Sequence, residues 1–164
     1  MAYLLDSNTL IEAKNGYYHF EVCPGFWDWI LSKHGEGAVL SIERVGRELA
    51  DGADELSDWA VGPAAGLFVA PDEATVAKMT LVADWVMRRP FDEKSRARFF
   101  SKADPFLIAH ALAHGHTVVT HETKVPDTST KVKVPNVCEA FGVEWVHSFK
   151  MLRQEKARFV FSQG

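Results

Sequence analysis

Short unbroken apolar runs alternate along this chain with longer stretches in which apolar residues recur every three or four positions. That mixture is expected when buried strands are joined by amphipathic helices. Tyr3-Leu4-Leu5 reads as a buried strand, and Asp6-Ser7-Asn8 then caps a helix through Leu10, Ile11 and Ala13 that stops at Gly16. Pro24 opens a second helix carrying Phe26, Trp27, Ile30 and Leu31, closed by Gly35-Glu36-Gly37. Ala38-Val39-Leu40 is a second buried strand, and Ser41 is the expected cap of a helix bearing Val45, Glu48 and Leu49 that breaks at Gly52. A further short helix fits Glu55 to Ala60.

Leu67-Phe68-Val69 suits either a short strand or a buried connector. Pro71-Asp72-Glu73 starts a long helix whose expected apolar side is Val76, Met79, Val82, Ala83, Val86 and Met87, ending before Pro90. Residues 92 to 102 are charged and helical in character. Asp104-Pro105 begins another helix, with Leu107, Ile108, Ala111 and Leu112 inward and Gly115 at its end. Thr117-Val118-Val119-Thr120, β-branched throughout, is the strongest strand, residues 123 to 135 are polar and irregular, and Val143-Glu144-Trp145-Val146 is the last strand. Strands alternating with helices predict an α/β three-layer sandwich: a mostly parallel central sheet flanked by helices, with ligands outside the carboxyl ends of the strands.

Composition narrows the picture only a little. The 164 residues, 47% apolar and 24% charged, suit one domain spanning 1–164, without repeat or linker. No apolar run is long enough for a membrane span and no cleavable leader is recognisable, so the expectation is a cytoplasmic protein with no membrane partner. Cys23 and Cys138 belong to no Cys-x-x-Cys pair, which argues against a disulfide framework or a zinc knuckle. Charge is more informative: residues 1 to 87 carry a net −9 and residues 88 to 164 a net +5. Arg88, Arg89, Lys94, Arg96, Arg98 and Lys102 crowd the approach to Asp104, while Lys124, Lys131 and Lys133 follow Glu122. Such clusters grip a phosphate backbone or form solvated faces.

Four acids, Asp6, Glu48, Asp104 and Glu122, each stand where an apolar segment gives way to a turn or lie on a helix beside one. In a parallel sheet Asp6 and Glu122 project at the same edge, Asp104 heads the helix feeding the Thr117 strand, and Glu48 leans over from the second crossover. Hard cations take oxygen ligands, one or two carboxylates with the substrate's phosphate, so four acids converging from distant segments suggest a metal site for phosphodiester cleavage. Each acid also has a structural reading, as a helix cap, a solvated helix residue or a loop acid. His110, His114 and His116 have a spacing that permits zinc but lack the Glu of His-Glu-x-x-His. No serine elbow, phosphate-binding glycine loop or dinucleotide fingerprint occurs. Trp27, Trp59, Trp85 and Trp145 read as core.

Leu4-Leu5-Asp6-Ser7-Asn8, the segment from Ser41 through Arg47-Glu48-Leu49-Ala50-Asp51-Gly52, and Ala103-Asp104-Pro105-Phe106-Leu107-Ile108-Ala109 through Val118-Val119-Thr120-His121-Glu122 resemble the PIN-domain nucleases. Within them the likeness is to VapC-like toxins and to a PIN-like subgroup that opens Asp-Ser-Asn-Thr-Leu-Ile-Glu-Ala-Lys-Asn. It covers most of the chain and is weakest over residues 53 to 100. The resemblance implies a PIN-like fold and a Mg²⁺- or Mn²⁺-dependent endoribonuclease, the toxin of a toxin–antitoxin pair. Asp6, Glu48 and Asp104 would hold the ions, with Asn8 and Ser7 hydrogen-bonding a water at the site. RNA would be the substrate, an antitoxin protein and a second copy of the chain the partners. The family has Asp where this chain has Glu122, which makes Asp127 an alternative fourth acid; Glu43 is an alternative to Glu48. Two rival functions are a catalytically silent PIN-like binding module and a nuclease for structured DNA.

Overall fold

A computed structural model describes residues 1–163. Five strands form one wholly parallel sheet in the order β3-β2-β1-β4-β5. They are β1 (Tyr3–Leu5), β2 (Val39–Ile42), β3 (Phe68–Val69), β4 (Thr117–Val119) and β5 (Trp145–Val146). β1 lies at the centre, with Leu4 opposite Leu40 on one side and Val118 on the other. A strand buried on both faces must be apolar at every position, and Tyr3, Leu4 and Leu5 are all buried.

The first crossovers carry α1 (Ser7–Asn15), α2 (Pro24–Gly35), α3 (Glu43–Ala50) and α4 (Glu55–Val61). The chain then passes from the β3 edge back across the sheet through α5 (Glu73–Arg88), α6 (Glu93–Ser101) and α7 (Asp104–His114) to β4, and α8 (Val134–Ala140) and α9 (Ser148–Gln154) complete it. Because the chain reverses its direction across the sheet after β3, right-handed crossovers put the first helices on one face and α5 to α8 on the other. α1, α3 and α4 pack on one another, and α7 packs against α5, α6 and α8. The three-layer α/β sandwich expected from the sequence is therefore the observed architecture.

Several local expectations are corrected. Ser41 caps no helix: it lies in β2, fully buried, and its hydroxyl donates to the Leu5 carbonyl at 2.6 Å, while α3 starts one residue after Ile42. A hydroxyl inside a sheet satisfies itself on the neighbouring strand rather than on a helix end. The inner face of α5 is narrower than its sequence implies. Thr75, Val82 and Val86 are buried and Met79 half-buried, at spacings of four, three and four residues, because one helix (α7) covers them. Val76 and Met87 are 55% and 56% exposed. α8 and α9, seven residues each, were not anticipated, since so short a helix shows little periodicity. Leu67-Phe68-Val69 divides into the end of a 3₁₀ turn and β3.

Trp27 and Trp59 are core residues, Trp27 stacked on Phe20 and edge-on to Trp59, whereas Trp85 and Trp145 are only half-buried. The three histidines are each engaged separately. His110 is buried on Thr75 Oγ1 at 3.0 Å, and burial pushes its pKa down to about 4. His114 meets Asp72 at 2.7 Å, and His116 Nδ1 accepts the Ala2 N–H at 3.0 Å, leaving its proton on Nε2 and no lone pair there for zinc.

Leu4, fully buried in the central strand, is the most sensitive test of this core. Leu4→Ala should lower unfolding free energy by about 3 kcal/mol in urea titrations. Val76→Ala, on the exposed side of α5, should change it by less than about 0.5 kcal/mol.

Candidate functional site

β1 and β4 are neighbours whose onward connections leave in opposite directions, and the crevice this opens at their carboxyl ends is where open α/β sheets bind ligands. Asp6 is the first residue beyond β1. Its N–H donates to the Val119 carbonyl at 3.1 Å, continuing the pairing with β4, and its carboxylate, 3% exposed, caps α1 by accepting Thr9 N–H at 2.7 Å. Burial raises its pKa, partly offset by the hydroxyls of Thr120 and Thr9. Asp6 thus keeps both readings open, as helix cap and as crevice acid.

Glu48 reaches the crevice from α3 and joins two other segments. One oxygen accepts from the Ser7 hydroxyl and the other accepts the Ala103 N–H at 2.6 Å. The residue before Asp104 is therefore the helix cap and is fixed by Glu48, while Asp104 itself is the first residue of α7. Burial, and then the charges of Glu122, Asp6 and Glu48, raise the Asp104 pKa to about 7, with Lys102 acting against them. Asp104 is thus within electrostatic reach of the other three acids.

Glu122, three residues past β4, has its N–H held by Thr120 Oγ1 at 3.1 Å and accepts the Val134 N–H at 2.7 Å, at the first residue of α8. Asp104, Glu122 and Asn8 line a cavity of about 500 Å³, walled by Lys94, Arg98, Lys102, Lys131 and Lys133. Asp127 is exposed and lines a neighbouring cavity instead, so the structure places Glu122, not Asp127, beside Asp104. Glu43 pairs with Arg47 at 2.7 Å on the surface of α3 and stays out of the crevice.

Among the described residues, no three His, Cys, Asp or Glu side chains stand close enough to form a ready coordination set. Asp6, Glu48 and Glu122 each accept instead from neutral donors. The donor set still suits a hard cation, since Mg²⁺ is held by one or two carboxylates and leaves its other positions to water and phosphate.

Sequence reasoning missed Thr120, which supports both Asp6 and Glu122, and the chain Glu12–His121–Ser148. His121 meets Glu12 through Nδ1 and the Ser148 hydroxyl through Nε2 at 2.6 Å. Ser148 is 3% exposed, so these bonds tie α1 to α9 rather than present a nucleophile. No local motif marks either feature.

Residues 3–159 match the family model described as "Domain of unknown function (DUF4411)". The chain belongs to the DUF4411 family. No curated protein matches this DUF4411 chain. Among solved structures it is similar to a chain in the crystal structure of VapBC2 from Rickettsia felis bound to a DNA fragment from their promoter. That similarity has a TM-score of 0.47 and 16% identity, and covers 90% of this chain and 98% of the other. No helix among the described residues is long and apolar enough to cross a membrane.

The Asp104 carboxyl predicts how stability varies with pH. In the folded protein it keeps its proton up to about pH 7, whereas in the unfolded chain it loses it near its ordinary 3.8. Folding therefore takes up a proton between those values, and this group's contribution to stability declines as pH rises through the window. With chelator present, Asp104→Asn should be more stable than the unaltered protein by about 2 kcal/mol at pH 8 and no different near pH 4, as read by urea denaturation.

Proposed function

We propose that this DUF4411 protein is a PIN-type, Mg²⁺- or Mn²⁺-dependent endoribonuclease that cuts single-stranded RNA and acts as the toxin of a toxin–antitoxin pair. The observation that carries the reading is the crevice itself. Asp104 and Glu122 line one cavity with five cations near the carboxyl ends of β1 and β4, and the charges of Asp6 and Glu48 are felt at Asp104. A surface that offers anions for a metal and cations for phosphates within one cavity matches the two needs of phosphodiester hydrolysis. The motifs shared with PIN-domain nucleases support the same reading.

Asp6, Asp104 and Glu122 would hold the ion or ions, which when bound lower the pKa of a water and neutralise charge on the phosphate. Glu48 acts as a positioning residue, because its two oxygens fix the first residue of α1 and the residue before Asp104. Asn8, the exposed second residue of α1 and part of the cavity lining, is placed to orient a water or a phosphate oxygen. Lys94, Arg98, Lys102, Lys131 and Lys133 grip the strand. An antitoxin segment would act by covering the cavity.

One observation favours a second reading, a catalytically silent PIN-like binding module: the acids are already hydrogen-bonded to neutral donors and form no ready coordination set. Two measurements separate the readings. The nuclease should cleave single-stranded RNA only with Mg²⁺ or Mn²⁺, and Asp6→Asn should slow it at least about 100-fold. Equal cleavage by that variant would reveal a contaminating nuclease. Calorimetric titration with Mn²⁺ should show binding that Asp104→Asn weakens, and no carboxylate-dependent heat would favour the silent module.

A further inference from the structure

A second cavity, of about 450 Å³, adjoins the first and shares Lys131 with it. Its walls come from three places that the sequence keeps far apart: the end of α5, the 123–133 loop and α8. Trp85 and Phe91 supply aromatic surface, their rings 5.8 Å apart and tilted by 56°. The Arg89 guanidinium lies 4.9 Å from the centre of the Trp85 ring. Asp127 and Ser129 face them from the loop.

This cavity is firmly built. Arg96 donates to the carbonyls of Arg89 at 3.0 Å and Phe91 at 3.1 Å, fixing the turn that carries both residues. The loop is pinned at both ends. Asn136 exchanges two hydrogen bonds with the Val125 backbone, at 3.0 and 2.7 Å. Asp92 N–H donates to the Thr130 carbonyl at 2.9 Å, Val132 N–H donates to Ser95 Oγ at 2.9 Å, and Lys131 pairs with Asp92 at 2.7 Å. The half-buried Trp85, read from sequence as core, therefore forms a fixed wall open to solvent rather than part of a closed core.

We infer that this second cavity is a nucleotide subsite in which one base of the bound strand, displaced from the scissile phosphate, stacks on the surface made by Trp85, Phe91 and Arg89. The inference rests on the nuclease reading above and adds to it where the strand goes. Lys131, common to both cavities, carries the backbone across, and the Lys94–Arg98–Lys102 side brings it to Asp104. Aromatic rings beside an arginine stack any base, because every base has a π face, so the subsite selects a single strand over a duplex whose bases are already stacked. The cavity is within the size range of pockets that hold small organic ligands, enough for a nucleotide. Asp127, with no ion-pair partner among the described residues, faces the cavity as an acceptor for a base amino group.

The test is a scan of fluorescently labelled single-stranded oligoribonucleotides of about ten nucleotides, each with one abasic position, bound in chelator so that no cleavage occurs. With the unaltered protein, one abasic position should weaken binding about tenfold relative to its neighbours. Ala140→Phe, which fills the cavity from the exposed face of α8 without changing charge, should weaken binding of the intact strand by a similar factor and abolish the position effect. Arg89→Gln should weaken the intact strand and flatten the scan. Circular dichroism melting should show both variants folded, and the exposed positions of Ala140 and Arg89 are chosen for that. A scan in which every abasic position binds alike, or in which Ala140→Phe leaves the sensitive position unchanged, overturns the inference. Because the scan uses no metal, it fails or succeeds independently of the cleavage assay, whose own failure is read with Asp6→Asn.

Discussion

The pairing of β1 with β4 is the constraint on which the site depends. Residues 3–5 and 117–119 are more than 110 positions apart, yet they lie in register, Leu4 beside Val118 and Leu5 beside Val119. Nothing local draws them together. The strand is buried on both faces, so its register is held by the fit of side chains on each, and a slip of one residue would send every side chain to the other face. Once it is set, Asp6 follows β1 beside the Thr120 and Glu122 that follow β4, and the reversal of chain direction leaves a crevice above them. Packing of uncharged residues thus decides where the charges meet.

Gathering four acids is unfavourable, and the fold accommodates it in a particular way. The carboxylates are held by N–H and O–H groups: Thr9 for Asp6, Ser7 and Ala103 for Glu48, Val134 for Glu122. Neutral donors fix a carboxylate in place without cancelling its charge. Burial, and then the charges of Glu122, Asp6 and Glu48, raise the Asp104 pKa to about 7, and burial raises that of Asp6 as well. Buried carboxyls with raised pKa values beside other acids are a feature that clusters at functional sites.

The legible part of this structure follows from periodicity and the illegible part from long-range contact. Helices of nine or more residues with a repeating apolar face, such as α2, α5 and α7, announce themselves, as does the β-branched strand β4. Helices α8 and α9 do not, because seven residues make only two turns and their burial is decided by α7 and by the sheet. Asp6, Asp104 and Glu122 can be picked out because each stands at an element boundary. The Glu48 link to Ser7 and Ala103 cannot, since it joins residues 41 and 55 positions apart. Ser41 shows the same limit from the other side: the sequence rule for a helix cap is sound, but a buried strand neighbour offers its hydroxyl a better partner. Val76 and Met87 fail as core because only one helix covers α5, a fact about packing partners that no period reveals.

Glu122 condenses the question of what the crevice is for. Its carboxylate accepts the first N–H of α8 and also borders the cavity it shares with Asp104, so one side chain organises the 123–133 loop and contributes charge to the site. A purely structural acid would need no company, and a structural cluster would be expected to neutralise itself with nearby cations. The lysines and arginines here pair elsewhere or border the same cavity unpaired with these acids: Lys131 meets Asp92, Lys124 meets Glu139, and Lys102 only moderates Asp104. Among the described residues, none of the cations bordering this cavity forms an ion pair with Asp104 or Glu122. That separation is of use to a ligand carrying both signs, and a phosphodiester with its divalent cation is such a ligand.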